Sequence, residues 1–194
     1  MKKIRSNSAT ARLLSKAFEH VVKEKTPVNT DYIELDIPGS TYIKNGNVYL
    51  GVSYSDLIDK DLRTAKIIIR FEMFRAFVKK VIDRDIPRDI EDLIVAREMI
   101  KRGLIEDVVY LFYTYVMKNA VFDIRSLMKF YTIPAMFLAD GSYENLFYDI
   151  AEKKAGKKSK PPKKFLTSIY KDLTDEKNLE KAIKIYEEML DAGY

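Results

Sequence analysis

Apolar residues recur along the chain with two different periods, and the change from one to the other sets out its organisation. From about Ser8 to Lys25, Leu13, Leu14, Ala17, Phe18, Val21 and Val22 return at helical spacing and Pro27 follows, which predicts a first helix. In "DYIELDIPG" the period falls to two: Ile33, Leu35 and Ile37 alternate with Glu34 and Asp36, as on a half-buried strand. The next run, "TYIKNGNVYLGVSY", sets Asn45-Gly46 between two β-rich stretches. Both turn residues tolerate positive φ, so a two-residue hairpin is expected there, and with it a sheet of three short strands.

From Asp59 onward the period is helical almost to the end. A long helix is expected from about Asp61 to Asp83, where "DRDIPRD" breaks it. Asp89 is the expected cap of the next helix, which runs to Arg102 with Gly103 in the C′ position. "IEDVVYLFYTYVMKN", Ile105 to Asn119, is apolar nearly all round and is expected to be a central buried helix. Shorter helices are expected near Asp123 to Tyr131, Ser142 to Lys154, Phe165 to Leu173 and Asp175 to Ala192. The fold class that follows is α+β, mainly helical, with a small antiparallel or mixed sheet packed on the long helix. The expected organisation is a main domain over 1–152, a lysine-rich loop over 153–164 and a C-terminal helical pair over 165–194 that packs on the main domain. No repeat period is evident.

Within the long helix, "IIIRFEMFRAFVKK" carries a conflict. At 100° per residue with Phe71 at zero, Phe71, Phe74, Val78, Ile67, Val81, Ile82, Phe77 and Ile68 fill an arc from about 240° round to about 60°. Arg75 falls inside that apolar arc at about 40°, Arg70 falls inside it at about 260°, and Glu72 lies at its border near 100°. A buried guanidinium is costly unless it is paired or snorkels to water, so the sequence calls for an acid. Glu72, three residues before Arg75, is the nearest candidate; Glu91 and Glu98 share one face of the next helix, although Glu98 also has Arg102 four residues on.

Composition narrows the chemistry. In the 194 residues there is no cysteine, which excludes disulfides, thiolate catalysis and zinc-thiolate sites, and one histidine, His20, too few for an ordinary protein zinc site. His20 lies beside the apolar stripe of the first helix and is read as a partly exposed helical residue. Glutamine and tryptophan are also absent, while Ile, Lys, Glu and Tyr are abundant, a balance that resembles a thermophile's protein. No Gly-rich phosphate loop and no nucleophile-elbow motif occurs. The aromatic cluster Tyr110, Phe112, Tyr113 and Tyr115 is read as core. The acidic run from Asp83 to Asp92, interleaved with arginines at a helix start, is read as capping and dipole stabilisation rather than a hard-metal site. No apolar run approaches the roughly 18 residues of a membrane span, and the start lacks the apolar segment of a signal peptide, so no membrane and a cytoplasmic location are expected.

The net charge is +5, and "KKAGKKSKPPKK", residues 153–164, holds seven lysines and no acid. Lys153, Lys154, Lys157, Lys158, Lys160, Lys163 and Lys164 form a candidate anion-binding strap, with a solvated linker as the plain alternative.

A hairpin feeding a long helix, followed by a second helix with an acidic residue, resembles the core of zincin metallopeptidases. Their helix bears H-E-x-x-H: two histidines bind zinc and the glutamate between them is the general base. Against Phe71-Glu72-Met73-Phe74-Arg75 only the glutamate matches, and Glu98 stands as the candidate third position. The resemblance implies a degenerate core with vestigial motif positions Phe71, Glu72 and Arg75, no metal, no cofactor and no peptidase activity. In that reading the fixed charge of Arg75 stands where the metal was, neutralised by Glu72 and Glu98. Three readings of function follow: a non-catalytic binding or scaffold protein with a protein or peptide partner; a nucleic-acid or polyanion binder acting through the lysine loop; and a metal-independent or Mg²⁺-dependent enzyme with an open pocket at Glu72. Salt separates the first two, because phosphate-driven binding collapses as ionic strength rises.

Overall fold

The computed structural model of the chain describes residues 9–24, 32–35, 41–45, 47–52, 61–82, 84–112 and 178–191. The fold is α+β and mainly helical, and the chain divides into two compact units, Met1–Asp85 and Ile86–Tyr194. The boundary falls within "DRDIPRD", where the helical pattern breaks. The lysine loop, the expected helices between residues 123 and 173, and the expected domain limits at 152 and 165 lie outside the described residues.

In the first unit, helix α1 (Ala9–Val22) buries Leu14, Ala17, Phe18 and Val21 of the expected stripe, with Leu13 half-buried, and leaves His20 exposed. Strands β1 (Tyr32–Leu35), β2 (Tyr42–Lys44) and β3 (Asn47–Val52) form a mixed sheet in the order β1-β3-β2. β1 runs parallel to β3 with Tyr32 opposite Tyr49, and β2 runs antiparallel to β3 with Lys44 opposite Asn47 and Tyr42 opposite Tyr49. The two-residue turn between β2 and β3 puts Asn45 at φ 52°, the left-handed conformation for which asparagine pays little. Along β3 the even positions Val48, Leu50 and Val52 are buried, and this face meets the long helix.

That helix, α2 (Leu62–Val81), starts where the Asp61 side chain accepts the Thr64 backbone N–H at 2.7 Å. Its burial departs from the single arc expected. Val81 is 60% exposed and Phe77 and Ile82 are half-buried, whereas Ala65, Ile69, Met73 and Ala76, on the side away from the arc, are buried. The reason lies in the packing: both α1 and the sheet pack on α2, so its middle is enclosed on more than one side and its C-terminal turn is not. Arg70 leaves the interior by pairing with Glu24, just past the end of α1, through Nε and Nη2 contacts of 2.7 Å.

In the second unit, α3 (Arg88–Lys101) buries Ile90, Leu93, Ile94 and Met99. Its N-cap is Pro87, with extended backbone and no side-chain cap, so the expectation for Asp89 is corrected. Proline's fixed φ suits the approach to a helix, and the Asp89 carboxylate instead accepts the Tyr186 hydroxyl at 2.6 Å. Asp89 and Glu91 still lie in the first turn, where the helix dipole favours them. The other end closes as expected: Gly103 takes φ +81°, its N–H bonds the Ile100 carbonyl at 2.9 Å, and the Leu104 N–H bonds the Met99 carbonyl at 3.0 Å. Helix α4 (Ile105–Val109) continues as a π-helical turn through Phe112. Val108, Leu111 and Phe112 are buried, but Ile105 and Glu106 are exposed, so the described part of this helix has a solvent side that its apolar composition did not suggest. The last described helix, α5 (Leu179–Asp191), buries Leu179, Ala182, Tyr186 and Met189 at helical spacing. No helix among the described residues is long and apolar enough to cross a membrane.

Candidate functional site

The site grows from a geometric consequence of the hairpin. Because Tyr42 stands opposite Tyr49, the residue before it, Thr41, lies beside Leu50 and Gly51 at the start of β2, on the sheet face that meets α2. The Gly51 backbone N–H donates to Thr41 Oγ1 at 3.2 Å. Thr41 Oγ1 in turn donates to Oε2 of Glu72, one helix face away. The same oxygen accepts Arg75 Nε at 3.0 Å, and the guanidinium carbon of Arg75 lies 5.2 Å from the centre of the Phe71 ring.

All three side chains are buried: Thr41 is 2% exposed, Arg75 3% and Glu72 7%. Burial would penalise either charge alone, and the ion pair together with the hydrogen bond that Thr41 adds to Glu72 offsets that penalty. The demand for an acid near Arg75 is thus met on its own helix, at i,i+3. Phe71 contributes a π face to the cation rather than a ligand to a metal. The arrangement is a chain of hydrogen bonds from the sheet backbone to a helix cation, ending on a carboxylate oxygen that two donors already occupy. Thr41 and Gly51 were absent from the sequence reading; only the hairpin register, which sets Thr41 on the helix-facing side, could have pointed to the threonine.

Glu98 belongs to the second unit and is engaged along α3. Its Oε2 accepts Arg102 Nη1 at 2.7 Å, while Oε1 lies 3.2 Å from Arg97 Nη2 and 3.4 Å from Lys101 Nζ. Burial pushes its carboxyl pKa up, but the Arg102 hydrogen bond and the charges of Lys101 and Arg97 outweigh this and hold it below the ordinary value. Glu91 and Asp92 of the acidic run are buried on the same helix. Among the described residues no three His, Asp or Glu side chains gather where a metal ion could sit. The seven lysines of the 153–164 loop, Tyr113 and Tyr115 lie outside the described residues. No protein-family model matches the chain, and neither a curated protein nor a solved structure matches it.

Proposed function

We propose that the protein is a non-catalytic binding or scaffold protein built on a degenerate zincin-like core whose zinc site has been lost. The observation that carries this reading is the position of Glu72. A general base must offer a lone pair to water beside an electrophile. Here Oε2 takes bonds from Thr41 and Arg75 inside the fold, and the positions that flank the glutamate hold a phenyl ring and a guanidinium. Neither can ligate zinc. The element order, a hairpin feeding the helix that bears the glutamate, is the second support.

Two measurements test it. Unfolded casein incubated with the protein, with and without added Zn²⁺, should stay intact; cleavage that disappears in Glu72→Gln would overturn the loss of catalysis. The double variant Phe71→His, Arg75→His tests the ancestry directly. If the core is zincin-like, the folded variant takes up Zn²⁺ in stoichiometric amount by elemental analysis; a folded variant that takes up none overturns the resemblance.

A further inference from the structure

Several ion pairs of the described residues form at short sequence spacing. Arg75 meets Glu72 and Lys101 meets Glu98 at i,i+3, while Arg102 meets Glu98 and Lys184 meets Glu188 at i,i+4. Those are the spacings at which a cation and an acid share one helix face. The lysine run of residues 153–164 lies outside the described residues, and its sequence departs from this habit. Only Lys153 has an acid three or four positions away, Asp149; Lys154, Lys157, Lys158, Lys160, Lys163 and Lys164 have none. No acid occurs anywhere from Lys153 to Lys171.

Charge balance singles out the same segment. Residues 86–194 carry 18 Lys and Arg and 18 Asp and Glu. With the seven lysines of the run set aside, 11 basic residues stand against 18 acidic ones. The second unit is therefore net negative outside the run, and its cationic excess is confined to residues 153–164.

From these two observations we infer that residues 153–164 bind the phosphate backbone of nucleic acid, without sequence preference and more tightly on a duplex than on a single strand. The composition of the run decides each part. Lysine offers a phosphate a point charge, and the run has no Arg, Asn or Gln to read a base edge with paired hydrogen bonds. It has no aromatic ring on which an unstacked base would lie. A duplex carries a phosphate charge roughly every 1.7 Å of its axis, so each lysine releases more counterion there than on a single strand. The run also lacks a large apolar side chain to enter a bilayer, which favours nucleic acid over an anionic lipid surface. The inference is independent of the reading of Glu72, which concerns the first unit.

The test is fluorescence anisotropy of a short labelled duplex of mixed sequence, titrated with the full-length protein at several salt concentrations. Seven lysines on phosphates give a slope of log affinity on log salt of about −6, roughly −0.9 for each contact. Serine at all seven positions should abolish the binding, and serine at Lys163 and Lys164 alone should reduce the slope by about two. Circular dichroism checks each fold, and the double variant carries the test should the sevenfold one not fold. A folded sevenfold variant that keeps the parent's affinity would place the binding on cations elsewhere, such as those of α1 and α2, and overturn the inference. An unaltered slope in the double variant would do the same. So would a single strand bound more tightly than the duplex, a tenfold preference among duplex sequences, or phosphatidylserine vesicles that strip the protein from the duplex at equal charge concentration. Absence of any duplex binding at low salt also overturns the inference, and leaves the Glu72 reading to its own casein and zinc assays.

Discussion

Thr41 and Glu72, 31 residues apart, are joined by a buried hydrogen bond that ties the start of β2 to the middle of α2. Because Thr41 also accepts the Gly51 N–H, and Glu72 also accepts Arg75, one hydroxyl connects sheet backbone to helix charge. Replacing it with a methyl of the same shape isolates that role. Thr41→Val is expected to cost about 1–3 kcal/mol, the price of leaving a buried donor and a buried carboxylate each short of a partner. Thr41→Ser, which keeps the hydroxyl, should recover most of it. Urea unfolding of the three proteins makes the comparison, and a valine variant as stable as the parent would show that the network closes without the threonine.

Arg75 and Glu72 are coupled more strongly. Arg75→Ala leaves the Glu72 carboxylate buried beside Thr41 with its cation gone, and is expected to lose about 3–5 kcal/mol of stability. Removing both charges should cost less: Glu72→Met with Arg75→Met fills similar volume without stranding an ion. A loss below about 1 kcal/mol for Arg75→Ala, the range of exposed pairs, would refute the account of a buried pair.

The parts of this arrangement that local rules govern could be read in the sequence, and the parts set by tertiary register could not. The turn at Asn45 between paired Lys44 and Asn47, the Gly103 stop and the i,i+3 pairing of Glu72 with Arg75 each depend on residues a few positions apart. Thr41 differs, since nothing around it marks it as polar and buried; its role appears only when the hairpin is laid on α2. Asp89 looked like a cap for the same reason in reverse. Local chemistry favoured it there, and Tyr186, 97 residues away, supplied a donor instead. The periodicity of α2 suggested one buried face, but small and apolar residues such as Ala65, Ile69 and Ala76 on its other side let neighbours pack there too.

The start of α2 predicts a pH effect. The Thr64 backbone N–H, and then its hydroxyl, hold the Asp61 carboxyl below its ordinary value of 3.8. A carboxyl whose pKa is lowered by folding adds stability that is complete above its unfolded pKa and is lost as pH falls through the folded one. Asp61→Ala should therefore cost about 1 kcal/mol near neutrality, as lost N-caps do, with the difference from the parent shrinking in acid. Asp61→Asn keeps a capping oxygen without the titration and should narrow the gap at neutral pH.

Within the second unit, the Tyr186 hydroxyl donates to the Asp89 carboxylate at 2.6 Å and ties α5 to α3. Tyr186→Phe preserves the buried ring and deletes only that donor. A loss of about 1.5–3 kcal/mol is expected, the range of hydrogen bonds to charged groups, towards the low end because the contact is part-buried. Hydrogen exchange of the α5 amides gives a local check, because weakened docking of that helix should speed their exchange while the amides of α2 keep theirs.

Glu98 offers a second titration with a different balance of causes. Burial raises its pKa, yet the Arg102 hydrogen bond and the charges of Lys101 and Arg97 bring the net below the ordinary 4.5. Folding thus favours the ionised form, and the sign follows: the contribution of Glu98 is complete above the unfolded carboxyl pKa and disappears as pH falls through the lowered folded value. Glu98→Gln keeps the shape and removes the charge, so the variant should be less stable than the parent near neutrality and the two should converge in acid. Added salt should narrow the neutral-pH gap as well, because Lys101 and Arg102 expose 54% and 38% of their side chains and are screened. A gap that stays constant from neutral pH into acid would mean that the glutamine disturbs packing rather than charge, and that the three cations do not hold Glu98 ionised.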